Sequence, residues 1–130
     1  MDRAQVADRL RKFFELEDRG IVAAYLFGSV ARERGRADSD IDVAVIRRRP
    51  QSGTLDALPL RLEGELEETF GHEVQVVALD LASPDLIRRV LRDGLIVFES
   101  NRSERIAFEV RARNQYWDVK PLLDEYRKLR

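Results

Sequence analysis

Apolar and polar positions fall along this chain in blocks of different period, and each change of period marks an expected element. Val6, Leu10, Phe13 and Phe14 recur at helical spacing, so residues 3–18 read as an amphipathic helix closed near Gly20. "IVAAYLF" (21–27) then reads as a strand. Beyond a Gly28-Ser29 turn and a polar segment from Arg32 to Ser39, "DIDVAVI" (40–46) reads as a second strand with both faces covered. Pro and Gly make "RRRPQSGT" (47–54) a loop. Residues 58–70, "LPLRLEGELEETF", return to a helical period with an acidic outer face, and Gly71 is the expected stop. "EVQVVAL" (73–79) is a third strand. "SPDLIRRVLRDG" (83–94) is a short helix, with Ser83 as N-cap, Pro84 in the first turn and Gly94 beyond its end. "LIVFE" (95–99) makes a fourth, short strand. Phe108, Ala112, Tyr116, Val119, Leu123 and Tyr126 step by three or four, marking a C-terminal helix from about 102 to 128 that Pro121 can kink. The order αββαβαβα, with no repeat and no low-complexity tract, predicts an α/β (α+β) fold: a small mixed β-sheet flanked by helices.

Composition narrows this picture. A length of 130 residues suits one domain spanning 1–130, and 44% hydrophobic with 36% charged residues argues for a folded chain. No apolar run approaches the ~18 residues of a membrane helix. The N-terminus "MDRAQVADRLRKFF" lacks a signal-type apolar core, so the expected location is cytoplasmic. The absence of cysteine removes disulfides, cysteine-ligated metals and thiol nucleophiles. A net charge of -1 gives direct nucleic-acid binding no electrostatic support. Arg47, Arg48 and Arg49 are expected in a solvated loop. His72, the sole histidine, reads as a turn residue, and Tyr116 and Trp117 as core packing. Ile106, Val110 and Trp117 form a second stripe that could face a partner.

The candidate chemistry lies in "LFGSVARERGRADSDIDVAV" (26–45). Strand side chains alternate, so Asp40 and Asp42 share a face, with carboxylates roughly 6–7 Å apart along the chain. Two like charges there repel unless a cation lies between them. Mg²⁺ fits such a pair, because it prefers oxygen ligands and is usually held by one or two carboxylates plus substrate phosphates. Gly28 lets the backbone approach a ligand, and Ser29 can cap the short helical turn that "SVARE" suggests. Arg32, Arg34 and Arg36 add positive charge suited to a polyphosphate.

Gly28-Ser29, ten residues, then Asp40-Ile41-Asp42 is the Gly-Ser-x10-Asp-x-Asp signature of the DNA polymerase beta superfamily of nucleotidyltransferases. "FGSVAR" and "SDID" resemble its minimal branch, and "FEVRARNQYWDVKPLLDEYRKLR" resembles the C-terminal helix of MntA antitoxins. The resemblance implies a polymerase-beta-type fold. It also implies transfer of AMP from ATP, with Mg²⁺ as two ions, to a tyrosine of a HEPN-domain HepT-like RNase toxin, in a hetero-oligomer with that toxin. Gly28, Ser29, Arg32 and Ser39 would bind nucleotide, and Asp40 and Asp42 would be the metal ligands and catalytic carboxylates. A third carboxylate commonly completes the family's site, and an ungapped alignment puts Gln75 at that position. Glutamine is neither an anionic ligand nor a base. Glu73, two residues earlier on the same face, is the substitute candidate, while Asp80 has the wrong parity. Two alternatives follow: a homologue that neutralises its toxin by binding alone, and a small-molecule (aminoglycoside-type) nucleotidyltransferase, which one trailing helix leaves little room for.

Overall fold

The computed structural model describes residues 2–33, 40–48 and 57–128, with the side chains of 116–127 outside the described set. The first helix, α1 (Arg3–Leu16), begins at a capping box. Gln5 N–H donates to Asp2 Oδ1 at 2.8 Å, and Asp2 N–H donates back to Gln5 Oε1 at 3.1 Å. Then come β1 (Ile21–Phe27), a one-turn helix α2 (Gly28–Ala31), β2 (Ile41–Arg47), α3 (Leu58–Phe70) and β3 (Val74–Ala78). A 3-10 turn (Leu79–Leu81), α4 (Pro84–Asp93), β4 (Leu95–Glu99) and α5 (Arg102–Lys128) complete the order.

The strands form one sheet in the order β3-β2-β1-β4. β1 is antiparallel to β2 and β4, and β2 is parallel to β3. Parallel neighbours need a crossover, which α3 supplies. This is the expected mixed sheet. Alternation along β2 separates two cores: Ile41, Val43 and Val45 pack with residues of α1 and α3, while Ala44 and Ile46 pack with Tyr25, Leu79 and Val90. Asp42 continues the row of Ala44 and Ile46, at the strand's N-terminal mouth. Ser83 accepts a bond from Leu86 N–H as the N-cap of α4, as its sequence predicts.

The structure corrects several expectations. Arg47 is the last residue of β2 and is 5% exposed, so it belongs to the sheet rather than to a solvated loop. Its guanidinium Nε donates to Asp80 Oδ1 at 3.0 Å, and a second nitrogen donates to Asp80 Oδ2. Arg48 lies past the strand and pairs with Asp18 at 3.3 Å. The third strand is shorter than predicted at both ends, because Leu79 turns into the 3-10 segment and Glu73 precedes Val74. The backbone of α5 stays helical through Pro121. Arg34, Arg36, Ser39 and Arg49, and the side chains of Tyr116 and Trp117, lie outside the described residues. Among the described residues no helix is long and apolar enough to cross a membrane.

Candidate functional site

Gly28 follows directly on β1, and Asp40 and Asp42 flank Ile41 at the start of β2. Antiparallel pairing sets Phe27 opposite Asp42 and thereby brings the Gly-Ser turn and the Asp-x-Asp pair to one sheet end. Gly28 has φ +77, a left-handed conformation that favours glycine. A Cβ built there would fall closer than 3.0 Å to Asp42 Oδ2 and 3.1 Å from its Cγ. Glycine is thus required twice, by backbone conformation and by the carboxylate lying against it.

Ser29 does not cap the following turn. The N-cap of α2 is Phe27, and no side chain takes that role. Ser29 sits inside the helical turn, half-buried beside Gly28. Arg32 closes the turn through its N–H to Gly28 C=O at 3.2 Å, and its side chain is exposed. Leu26 pairs with Leu95, which brings the end of α4 to the same mouth. There the Arg92 guanidinium beside Asp93 holds its carboxyl below the usual carboxylate range, with a smaller contribution from Arg32. Asp93 comes to this mouth because β4, which follows it, pairs with β1.

The carboxyl of Asp42 is pushed above its ordinary value, first by burial and then by the charge of Asp40. The pair is therefore costly as two anions and suited to a cation. Asp40 and Asp42 offer oxygen donors on one face of an open mouth, which fits a hard divalent ion. Among the described residues no group of three or more His, Cys, Asp and Glu side chains could hold a metal ion.

Parallel pairing between β2 and β3 has a constant offset: Asp42 lies beside Gln75, and Val45 beside Ala78. The register sets Gln75 next to Asp42, about 4.8 Å away between strands. Extended one step outward, it sets Glu73 beside Asp40, and Ile41 N–H donates to Glu73 C=O at 3.1 Å. Both Glu73 and Gln75 are exposed. At the other end of β3 the 3-10 turn carries Asp80 to Arg47, away from the Asp40–Asp42 mouth. A cavity of about 510 Å³ also lies at that far end, lined by Val22, Ile46, Arg47, Leu79, Asp80 and Phe108 among others.

Comparison with known proteins agrees with this geometry. The profile of the family described as Polymerase beta, Nucleotidyltransferase matches residues 8–103. A relative in Methanocaldococcus jannaschii, named as a candidate protein adenylyltransferase, is 38% identical over 78 residues, covering 60% of this chain and 81% of its own length. A chain from a crystal structure of a toxin-antitoxin with AMP-PNP superposes with a TM-score of 0.71 at 23% identity, covering 92% of this chain and 97% of that one. A chain from the Shewanella oneidensis complex of a tri-AMPylated HEPN toxin with MNT antitoxin gives a TM-score of 0.64 at 23% identity, with coverage of 94% and 97%. At that identity both structures speak for the fold.

Proposed function

This chain belongs to the polymerase beta nucleotidyltransferase family, and from that premise we propose that it transfers AMP from ATP to a tyrosine hydroxyl of a HEPN-domain toxin, neutralising it. The observation that carries the reading is Gly28: its φ of +77 and its closeness to the Asp42 carboxylate join the turn and the carboxylate pair in one mouth. Nucleotidyl transfer needs positioning and charge neutralisation more than covalent help from the protein. Gly28 and Ser29 bring the backbone against the triphosphate, and Arg32 adds positive charge beside it. Asp40 and Asp42 would hold Mg²⁺, which would supply neutralisation of the phosphate charge in the in-line displacement. The acceptor oxygen forms its bond to the α-phosphorus, pyrophosphate leaves, and the hydroxyl proton passes to solvent or to Glu73. A HEPN partner is supported by the fold shared with the chain from the HEPN toxin–MNT antitoxin complex, and the use of ATP would suit a cytoplasmic pair.

Incubation with ATP labelled at the α-phosphate, Mg²⁺ and a purified HEPN-domain toxin tests the reading. Label is expected on the toxin, and none with Asp40→Asn/Asp42→Asn. Label that persists with the double variant would sink the mechanism. Gln75 beside Asp42 favours a second reading, neutralisation by binding alone. Under it the double variant suppresses toxicity as well as wild type does.

A further inference from the structure

The two edges of the sheet are finished differently. At the β3 edge, Val74 and Val76 turn their N–H groups away from β2, and side chains of α3 take both. Val76 N–H donates to Glu63 at 2.9 Å and Val74 N–H to Glu67 at 3.4 Å. These glutamates occupy the donors that an incoming strand would use. At the opposite edge β4 bonds to β1 on one side only. Its sequence, "LIVFE", has none of the lysine or proline that commonly blunts an edge, and its register shift opposite Ala24 and Tyr25 lies on the β1 side. Instead Leu95 and Ile96 are exposed there, as are Ile106 and Val110 of α5, each between 38% and 48%. Along α5, Arg105 and Glu109 reach the sheet through Glu99 and Tyr25, while Phe108 and Arg111 line the cavity on the β2 side with Ile46 and Arg47. Helical spacing then turns Ile106 and Val110 to the other side of α5, toward the β4 edge.

A strand edge takes a strand, and among the described residues the open edge this chain offers is β4 itself. We infer that two copies of this chain pair through β4, antiparallel about a two-fold axis, joining their four-stranded sheets into one. The inference goes beyond nucleotidyl transfer and does not rest on it. Two identical edges laid antiparallel are self-complementary and close as a dimer. Glu63 and Glu67 leave the pair no second open edge from which to grow into a fibre. The two-fold axis stands normal to the sheet and keeps both copies of α5 on one face. Because α5 contacts both β1 and β4, the two helices stand two to three strand spacings apart, roughly 10–14 Å. Ile106 and Val110 of each copy fill that gap. Since β4 starts at the Asp40–Asp42 mouth, antiparallel pairing sets the two mouths at opposite ends of the joined sheet, and each copy keeps its own site.

Sedimentation equilibrium of the whole chain across micromolar concentrations tests this. Wild type should run at twice the chain mass. Ile96→Lys puts a charge on the edge and should weaken the dimer about a hundredfold, because both copies lose a buried isoleucine. Ile106→Lys should weaken it from the helix side. Both positions are exposed, so circular dichroism should show each variant folded, and Leu60→Lys, at an exposed position on α3, should leave the dimer intact. A monomeric wild type would overturn the pairing while leaving nucleotidyl transfer untouched. So would a dimer that survives both Ile96→Lys and Ile106→Lys, or one that Leu60→Lys breaks as readily. A monomer whose binding to a HEPN-domain toxin is lost in Ile96→Lys would give the edge to that partner and overturn the pairing as well.

Discussion

At the scale of single residues, the site works against the stability of its own protein. Burial and Asp40 raise the pKa of Asp42, so the folded chain holds that proton more tightly than the unfolded chain. Between the unfolded and folded pKa values, stability falls as pH rises. Above both, the ionised carboxylate is a standing cost. Asp42→Asn should therefore melt above wild type at pH 7 in EDTA, by about 2 °C or more. The difference should close as pH is lowered toward 4, where the native carboxylate takes up its proton. Thermal melts at both pH values check this, and a variant melting below wild type at pH 7 would show that Asp42 stabilises the empty fold. That the Gly-Ser turn meets the Asp-x-Asp pair at one sheet end was legible in sequence, because the two lie at facing ends of consecutive strands. The absence of a Ser29 cap was not, since capping depends on where the helical turn begins, and Gly28 already begins it.

At the scale of elements, β2 is joined to the β3 segment by a parallel ladder and, beyond it, by a buried ion pair. Asp42 beside Gln75 and Arg47 bonded to Asp80 are separated by the same interval along the chain, 33 residues. A one-residue slip of β3 would send each side chain to the wrong face. The buried ion pair lies past the last rung of this ladder, where Leu79 leaves β3 for the 3-10 turn, and ties that turn to the end of β2. The Arg47 side chain is 3% exposed and that of Asp80 14%. Removing one partner of such a pair costs about 3 kcal/mol, because the remaining charge stays buried. Asp80→Asn should lose stability of that order in urea melts, whereas Glu73→Gln, at an exposed position, should change it by less than about 0.5 kcal/mol. Equal effects would mean that the buried pair gives the fold no net stability. Helix and strand identities were legible here, since their periods are local. The end of β2 was not: three consecutive arginines read as solvated, and only the antiparallel pairing with Ile21 and the bond to the distant Asp80 show that the first is inside.

At the scale of the whole molecule, α5 is fastened to the sheet by a chain of polar contacts that sequence periodicity does not reveal. Tyr25, in the middle of β1, is buried, and its hydroxyl donates to Glu109 at 2.7 Å. Arg105 pairs with Glu109 at 3.0 Å and also with Glu99 at the end of β4. Burial, and then Glu109, push the Tyr25 hydroxyl far above its ordinary value of 10.0. The folded chain thus keeps a proton that the unfolded chain loses near pH 10. Stability from this contact is complete below that pH and is lost as pH rises beyond it. The Glu99 carboxyl is held below its usual range chiefly by its bond from Arg105, so its contribution is present above about pH 4.5 and fades in acid. Tyr25→Phe keeps the ring and deletes the hydroxyl, leaving Glu109 its bond to Arg105. The variant should be less stable by about 1 kcal/mol at pH 7. At pH 11 the gap should shrink, because ionisation then favours the unfolded wild type and cannot occur in the phenylalanine chain. Urea melts of both proteins at the two pH values measure the difference directly, and a gap of the same size at pH 7 and pH 11 would mean that the tyrosine proton does not fasten α5 to the sheet.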